Sequence, residues 1–324
     1  MIDGIGRNID YLRISIIDRC NLRCVYCMPE EGVEAVSHEE ILSYEEILRL
    51  VRAFAKLGIR KIKLTGGEPL VRKNVAYLVN ELKKIEGITQ VTLTTNGILL
   101  AETIDSLAEA GLDGINLSLD TLNPEVFQKI TRRNSFDRVM EGLRAAFKYP
   151  QIPLKVNCVP MGIEGQDVLE MAELARKYPV HVRFIEMMPI GLGKQFEFCS
   201  EEYILQGLKE RYGDYVPYEK CLGNGPGHYY TFEGFQGKIG FVSAISHKFC
   251  ESCNRVRLTS QGYLKTCLQY DVGVDLKQLL REGAAEEELC CAIEAAILRK
   301  PLGHQFGSQV ESHGEEHMMA QIGG

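Results

Sequence analysis

Between about residues 11 and 186 the chain repeats one cadence: a short β-branched or apolar run, a turn rich in Gly, Asn or Asp, then an amphipathic helical stretch. The strand candidates are Leu12–Ile17, Lys61–Thr65, Val91–Thr95, Gly114–Leu119, Leu154–Val159 and His181–Glu186. Helical patterns fill the gaps at about 44–57, 73–85, 101–110, 135–147 and 167–177. Strands linked through helical crossovers run parallel, and such connections are right-handed. Six such units curl naturally into a barrel that stays partial, since eight do not fit before the pattern breaks after Pro189.

Beyond the break the grammar changes. Gly191–Gly193 reads as a loop and 200–212 as a helix; short antiparallel strands are expected at 228–233, 238–242, 254–258 and 262–266, with helices at 275–282 and 286–298. Residues 303–324 are rich in Gly and His, lack periodicity and read as a flexible tail. The expectation is an α/β chain of 324 residues: a partial (βα)6 TIM-like barrel over 1–195, a C-terminal α+β region over 196–302, and a tail ending in Gly323-Gly324.

A chain of this length buries a sizeable core without metal or disulfide staples, so a metal site in it would be there for a reason of its own. Charge narrows the partners: 37 Lys and Arg against 44 Asp and Glu give −7, a field that repels polyanions and argues against nucleic-acid binding. A small anion would need a local cluster of cations. No apolar run approaches the ~20 residues of a membrane span, and Met1–Asp10 lacks the pattern of a signal peptide, so the cytoplasm is the expected compartment. There, eleven Cys read as ligands or buried thiols rather than disulfides.

Their spacing is informative. Cys20, Cys24 and Cys27 form a C-x3-C-x2-C run just past the first strand, on the face where βα barrels carry their chemistry. Three close thiolates without a fourth suit an iron–sulfur cluster that keeps one iron open. A structural zinc site borrowing a distant fourth ligand is the alternative, and a disulfide a weaker one. Cys250, Cys253 and Cys267 make a second set of three, which in isolation reads equally as zinc or iron–sulfur. Cys158, Cys199, Cys221, Cys290 and Cys291 have no such spacing and read as small hydrophobes. The seven His, including the i,i+4 pair His313 and His317, show no shared ligand spacing.

The first triad, with Tyr26 before its third Cys, and the Gly66-Gly67-Glu68-Pro69 turn after the second strand resemble the two motifs of the radical S-adenosylmethionine (SAM) superfamily. With Cys250-x2-Cys253-Asn254-Arg255-Val256-Arg257-Leu258-Thr259, Cys267 and the terminal Gly pair, the chain is similar, from about Arg7 onward, to the family that cyclises GTP at the start of molybdenum cofactor biosynthesis. Other radical SAM enzymes with one auxiliary cluster, such as peptide-modifying ones, lack the Asn254–Thr259 run and the Gly pair. A zinc-binding scaffold is the rival outside enzymes.

The resemblance implies two 4Fe-4S clusters, on Cys20, Cys24 and Cys27 and on Cys250, Cys253 and Cys267. SAM would bind at the first and be cleaved to a 5′-deoxyadenosyl radical; the guanine of GTP would face the open iron of the second. The radical would take hydrogen from ribose C3′, and the carbon radical would attack C8. Tyr26, Gly67, Ser118 and Met188 are the implied SAM contacts. Glycines at 66 and 67 also suit a close approach of backbone to ligand, or a plain turn with Pro69 starting a helix. Asn123-Pro124-Glu125 reads as a helix cap. Arg255 and Arg257, on one strand face, are candidates to clamp the triphosphate, and Arg13, Lys63, Thr94 and Lys155 join them by family position. Lys63 stands where relatives often have Arg. Gly323 and Gly324 are the implied catalytic ending, reaching into the barrel beside the ribose. A reductant or electron-transfer protein and a homodimer complete what the resemblance implies.

Overall fold

The computed structural model describes every residue except Ala35, Phe198, Cys221, 307–317 and Gly324. The calls on Cys221, Gly324, His313 and His317 therefore lie outside the described residues. Six parallel strands stand side by side in chain order: β1 (Tyr11–Ser15), β2 (Lys61–Thr65), β3 (Gln90–Thr95), β4 (Ile115–Ser118), β5 (Leu154–Cys158) and β6 (His181–Ile185). They fall within two residues of the bounds the cadence predicts. The helices between them are α1 (Tyr44–Lys56), α2 (Val75–Lys83), α3 (Leu100–Glu109), α4 (Pro124–Thr131), α5 (Phe136–Ala146) and α6 (Ala172–Lys177).

Local chemistry starts these helices. Ser43 Oγ accepts from Glu46 N while the Glu46 carboxylate accepts from Ser43 N, a reciprocal cap on α1. The helix cap expected at Asn123 opens α4, which the periodicity alone misses: Asn123 Oδ1 accepts from Glu125 N and Val126 N, and Pro124 enters the first turn.

The alternation of the strands divides the molecule. Leu12 and Ile14, Ile62 and Leu64, Val91 and Leu93 are fully buried in one apolar cluster with Leu50 and Phe54 of α1 and Leu78 of α2. One residue off in each strand come Tyr11, Arg13 and Ser15; Lys61, Lys63 and Thr65; Thr92 and Thr94. A strand's period of two therefore sends an apolar row outward to the helices and a polar row inward. Apolar layers normally fill a small barrel. A polar lumen marks a binding space.

The rest of the chain adds α7 (Glu201–Tyr212), β7 (Tyr215–Tyr218), β8 (His228–Phe232), β9 (Ile239–Val242), β10 (Arg255–Leu258), β11 (Tyr263–Lys265), β12 (Gly273–Asp275), α8 (Leu276–Arg281), α9 (Glu286–Leu298) and α10 (Met319–Ile322). Among the described residues one sheet holds all twelve strands, in the order β12-β11-β10-β1-β2-β3-β4-β5-β6-β9-β8-β7. The antiparallel expectation holds for β8 with β9 and for β10 with β11, but needs correcting where they meet the barrel. There β9 pairs parallel with β6, and β10 parallel with β1. A six-stranded sheet has two edges of unpaired N–H and C=O groups, and the C-terminal region covers both. Two strands escape sequence reading: β7 carries Pro217, which confines it to an edge, and β12 has three residues. Among the described residues no helix is long and apolar enough to cross a membrane.

Candidate active site

The polar rows enclose a cavity of about 600 Å3 whose walls include all six triad cysteines. Cys20, Cys24 and Cys27 lie on the loop after β1. That loop is pinned from α4: Arg23 N and Val25 N donate to the carbonyls of Thr131 and Ile130, and Arg132 Nη1 donates to those of Arg23 and Met28. Arg132 holds φ 54°, a left-handed conformation uncommon outside Gly, which closes α4 beside the loop. Within it Cys27 N donates to Cys24 O at 2.9 Å, and Leu22 N and Asn96 Nδ2 reach Cys20 Sγ at 3.4 and 3.8 Å.

Gly66 and Gly67 pack backbone against backbone. Gly67 N donates to Ile17 O at 2.7 Å and Glu68 N to Arg19 O at 2.8 Å. A Cβ on Gly67 would stand 2.4 Å from the carbonyl oxygens of Asp18 and Arg19, and one on Gly66 2.5 Å from that of Ile17. The pair thus sets the path into Cys20 besides lining the cavity at Gly67. Glu68, which the sequence reading left without a role, ties two turns together: its carboxylate accepts from Leu70 N, Thr95 Oγ1 and Asn96 N at 3.0, 2.7 and 2.6 Å. Burial nevertheless pushes its carboxyl up to about 7. Tyr26 donates to Asp120 Oδ2 at 3.0 Å, and burial pushes Asp120 up to about 6. Ser118 and Met188 line the same wall.

The second triad brackets β10 and β11. Cys250 sits in a short turn in which Cys253 N donates to Cys250 O at 3.2 Å; Cys253 leads into β10 and Cys267 follows β11. Arg7 anchors the turn from the N-terminus. Its Nη1 donates to Cys250 O at 2.9 Å and to Leu302 O at 3.0 Å, while its Nε pairs with Asp3 at 2.6 Å, both side chains buried. Lys300 donates to Arg255 O at 2.9 Å and to Thr266 O.

Strand register explains how the cations converge. Arg257, Arg13 and Lys63 occupy one rung across β10, β1 and β2. Thr94, Asn116, Lys155 and His181 occupy another across β3 to β6. Arg255 is one inward step from Arg257 and lies against the Phe249 ring, 5.0 Å from its centroid. Arg183, which sequence reasoning missed although it alternates inward along β6, donates to Asn157 Oδ1 at 3.0 Å through Nε. With its amide oxygen turned toward them, Asn116 accepts from Lys63 Nζ at 2.6 Å and Arg183 Nη2 at 3.0 Å. Burial, then the charges of Arg183, Arg13 and Lys155, hold Lys63 well below an ordinary lysine; burial chiefly brings Arg13 down to about 10. Seven Lys and Arg side chains, Lys300 among them, wall one cavity in a chain of net charge −7 and call for a polyanion.

The segment Met319–Gly323 enters the same space. Ala320 and Ile322 of α10 are each 2% exposed, and Gly323 O accepts from Arg257 Nη1 at 2.7 Å and from Thr65 Oγ1 at 3.4 Å. Gly323 has φ 77°, and a Cβ there would lie 2.9 Å from Thr65 Oγ1.

Donor chemistry suits a metal cluster at each triad. Burial raises the Cys20 thiol to about 11 and Cys27 to about 12, and holds Cys24 well above the ordinary value; for Cys24 and Cys27 the neighbouring sulfurs push the same way. Grouped, desolvated thiols give up their protons when a cationic group supplies the compensating charge. Three sulfurs per site leave a coordination position for a small molecule. Thr94 Oγ1, buried in the cavity wall with no hydrogen-bond partner among the described residues, also fits a space built for a ligand.

A parallel partial barrel with a cysteine triad at the C-terminal end of its first strand defines the radical SAM class, and the model of the Radical SAM superfamily matches residues 14–188. The Molybdenum Cofactor Synthesis C model matches residues 180–306. In fold the chain is similar to the crystal structure of Streptococcus suis SuiB bound to precursor peptide SuiA (TM-score 0.61, 15% identity, 92% of this chain and 66% of that one). It is also similar to SuiB bound to S-adenosylmethionine (TM-score 0.57, 15% identity, 82% of this chain); there it spans 61% of the solved chain. In sequence it is 46% identical over 328 residues to a protein of Desulforamulus reducens and 46% over 330 residues to one of Syntrophomonas wolfei, with all of both chains covered, and both are named GTP 3′,8-cyclase. The chain belongs to the GTP 3′,8-cyclase family.

Proposed function

We propose that this protein converts GTP to (8S)-3′,8-cyclo-7,8-dihydroguanosine 5′-triphosphate, a lyase reaction by a radical route and the first step of molybdenum cofactor biosynthesis. The observation that carries this reading is two cysteine triads and seven cations facing one cavity. When bound, a 4Fe-4S cluster at the first triad supplies the electron for reductive cleavage of SAM, and one at the second supplies an open iron for guanine. Gly67, Tyr26, Ser118 and Met188 hold SAM against Cys20, Cys24 and Cys27. Arg13, Lys63, Thr94, Lys155, Arg255 and Arg257, with Arg183, hold the triphosphate. The ribose is then held between the triads, where orientation makes hydrogen transfer from C3′ intramolecular in effect, and the apolar layer outside the strands keeps water away.

Gly323 and Gly324 belong to the catalytic ending in this reading. Gly323 meets Thr65 and Arg257, so deleting the pair should stop formation of the cyclic product and spare SAM binding. A reductant or electron-transfer protein feeds the first cluster. The reading also takes a homodimer as the assembly, the cytoplasm as the compartment, no part for membrane or nucleic acid, and a division into barrel (1–195), auxiliary region (196–302) and tail. The test is anaerobic incubation of cluster-reconstituted protein with dithionite, SAM and GTP, followed by mass-spectrometric identification of the product. Formation of the cyclic triphosphate supports the reading. SAM cleavage without GTP conversion, or zinc in place of iron after anaerobic purification, overturns it.

A further inference from the structure

His304 is the least explained polar group in the cavity. Both its ring nitrogens are buried, and neither meets a partner in full hydrogen-bond geometry among the described residues, although the Ala244 backbone lies beside the ring. An imidazole in either neutral tautomer presents one donor and one acceptor, and leaving both unmade in a buried wall costs free energy. The ring lines the cavity shared by the two triads.

Its position is built. Backbone N–H of His304 donates to Cys250 Sγ at 3.4 Å, and Gly303 lies so close that a Cβ there would sit 3.2 Å from that sulfur. Gln305 N donates to Gln269 Oε1 at 2.6 Å, and the Phe306 ring packs 4.6 Å from the imidazole, centroid to centroid. The segment is thus fixed on both sides, with its ring in the wall of the shared cavity and its hydrogen-bonding capacity not fully met there.

We propose that His304 is a specificity-determining residue that hydrogen-bonds the purine base of the substrate at the second triad. This rests on the GTP reading above, which brings the guanine edge, with its acceptors O6 and N7 and its donors N1–H and N2–H, to Cys250. Desolvated and pre-positioned, the ring rewards a base that completes its hydrogen bonds and penalises one that leaves them unmade.

The test uses the enzyme carrying both clusters, as wild type, His304→Ala and His304→Gln, with iron content confirming equal loading. Equilibrium binding of GTP, ATP and SAM is measured, with the EPR spectrum of the second cluster before and after GTP. His304→Ala should weaken GTP binding about tenfold, the loss of one net hydrogen bond, and narrow its preference over ATP. SAM affinity and the substrate-free spectrum should stay unchanged, and His304→Gln should recover part of the affinity. An altered substrate-free spectrum in His304→Ala would make the residue a partner of the cluster and overturn the proposal. So would unchanged GTP affinity at equal loading. If His304→Ala fails to load, His304→Gln decides: wild-type preference supports the proposal, and preference lost with a changed SAM affinity rejects it. Failure of wild type to bind GTP at all would instead sink the GTP reading.

Discussion

The two cysteine triads face one cavity from opposite electrostatic settings. Around the first, carboxyls add to burial: Glu68 raises Cys20, with Arg23 working against it, and Asp120 raises Cys24 and Cys27. Around the second the charged neighbours are cations. Burial pushes the Cys253 thiol up, but Lys300 and Arg255 outweigh it and bring the thiol down to about 7. Identical ligand chemistry is therefore held in two potentials. Electrons come more easily to a cluster among cations than to one among carboxyls, since reduction adds negative charge. The cations of the second triad also continue without a break into the Arg257, Arg13 and Lys63 rung, so one field serves both ligand and polyanion.

The comparison breaks most completely by deleting one ligand from each side. Cys24→Ser should abolish formation of 5′-deoxyadenosine and of product. Cys253→Ser should abolish GTP conversion yet leave some uncoupled SAM cleavage, because the first triad is untouched. Chromatography of both products checks this, and intact GTP conversion by Cys253→Ser would reduce the second triad to a structural site.

The potentials themselves can be compared in metal-free protein. With a pKa of about 7 Cys253 is largely thiolate at pH 7.5, whereas Cys27, pushed up to about 12, is almost wholly thiol. Alkylation read by peptide mass spectrometry should favour Cys253 by roughly a hundredfold or more. Raising pH from 6 to 8 should accelerate Cys253 and leave Cys27 slow, and Lys300→Met should shift the Cys253 profile upward. Equal labelling of the triads would remove the contrast.

The first triad was far more legible in sequence than the second region. Cys20, Cys24 and Cys27 are neighbours along eight residues, and the six barrel strands carry their periodicity locally. Arg257 was visible beside Cys253, but its place on a rung with Arg13 depends on β10 pairing parallel with β1 across more than two hundred residues. Nothing local encodes that register. Lys300, Arg7 and His304 were passed over for the same reason: their meaning comes from where the chain returns, and His304 sits in a stretch without periodicity. Arg183 is the avoidable miss, since inward alternation along β6 with Ile185 marks it as surely as it marks Lys63.

On the cationic side, Arg257→Ala should weaken GTP binding by about ten- to a hundredfold, the range for losing a charge-assisted bond, while SAM binding changes little. Calorimetry with each ligand separates the two. Equal losses would indicate that the loosened Gly323 contact disturbs the whole cavity.

The smallest effect belongs to the acidic side. Glu68 is buried and its carboxyl is raised to about 7 from an ordinary 4.5, so the folded state binds its proton more tightly than the unfolded chain does. Its contribution to stability is complete below about 4.5 and is lost as pH rises through 7. The three hydrogen bonds it accepts hold the charged form partly in place, which keeps the loss to roughly 1–3 kcal/mol, or a few degrees in melting temperature for a chain of this size. Glu68→Gln cannot ionise and should remove that part of the slope between pH 4.5 and 7, while forfeiting one acceptor for Asn96 N at every pH. Unfolding midpoints of both proteins across this range supply the difference. Parallel pH profiles would show that Glu68 stays charged in the fold, and the acidic setting of the first triad would then be stronger than burial allows.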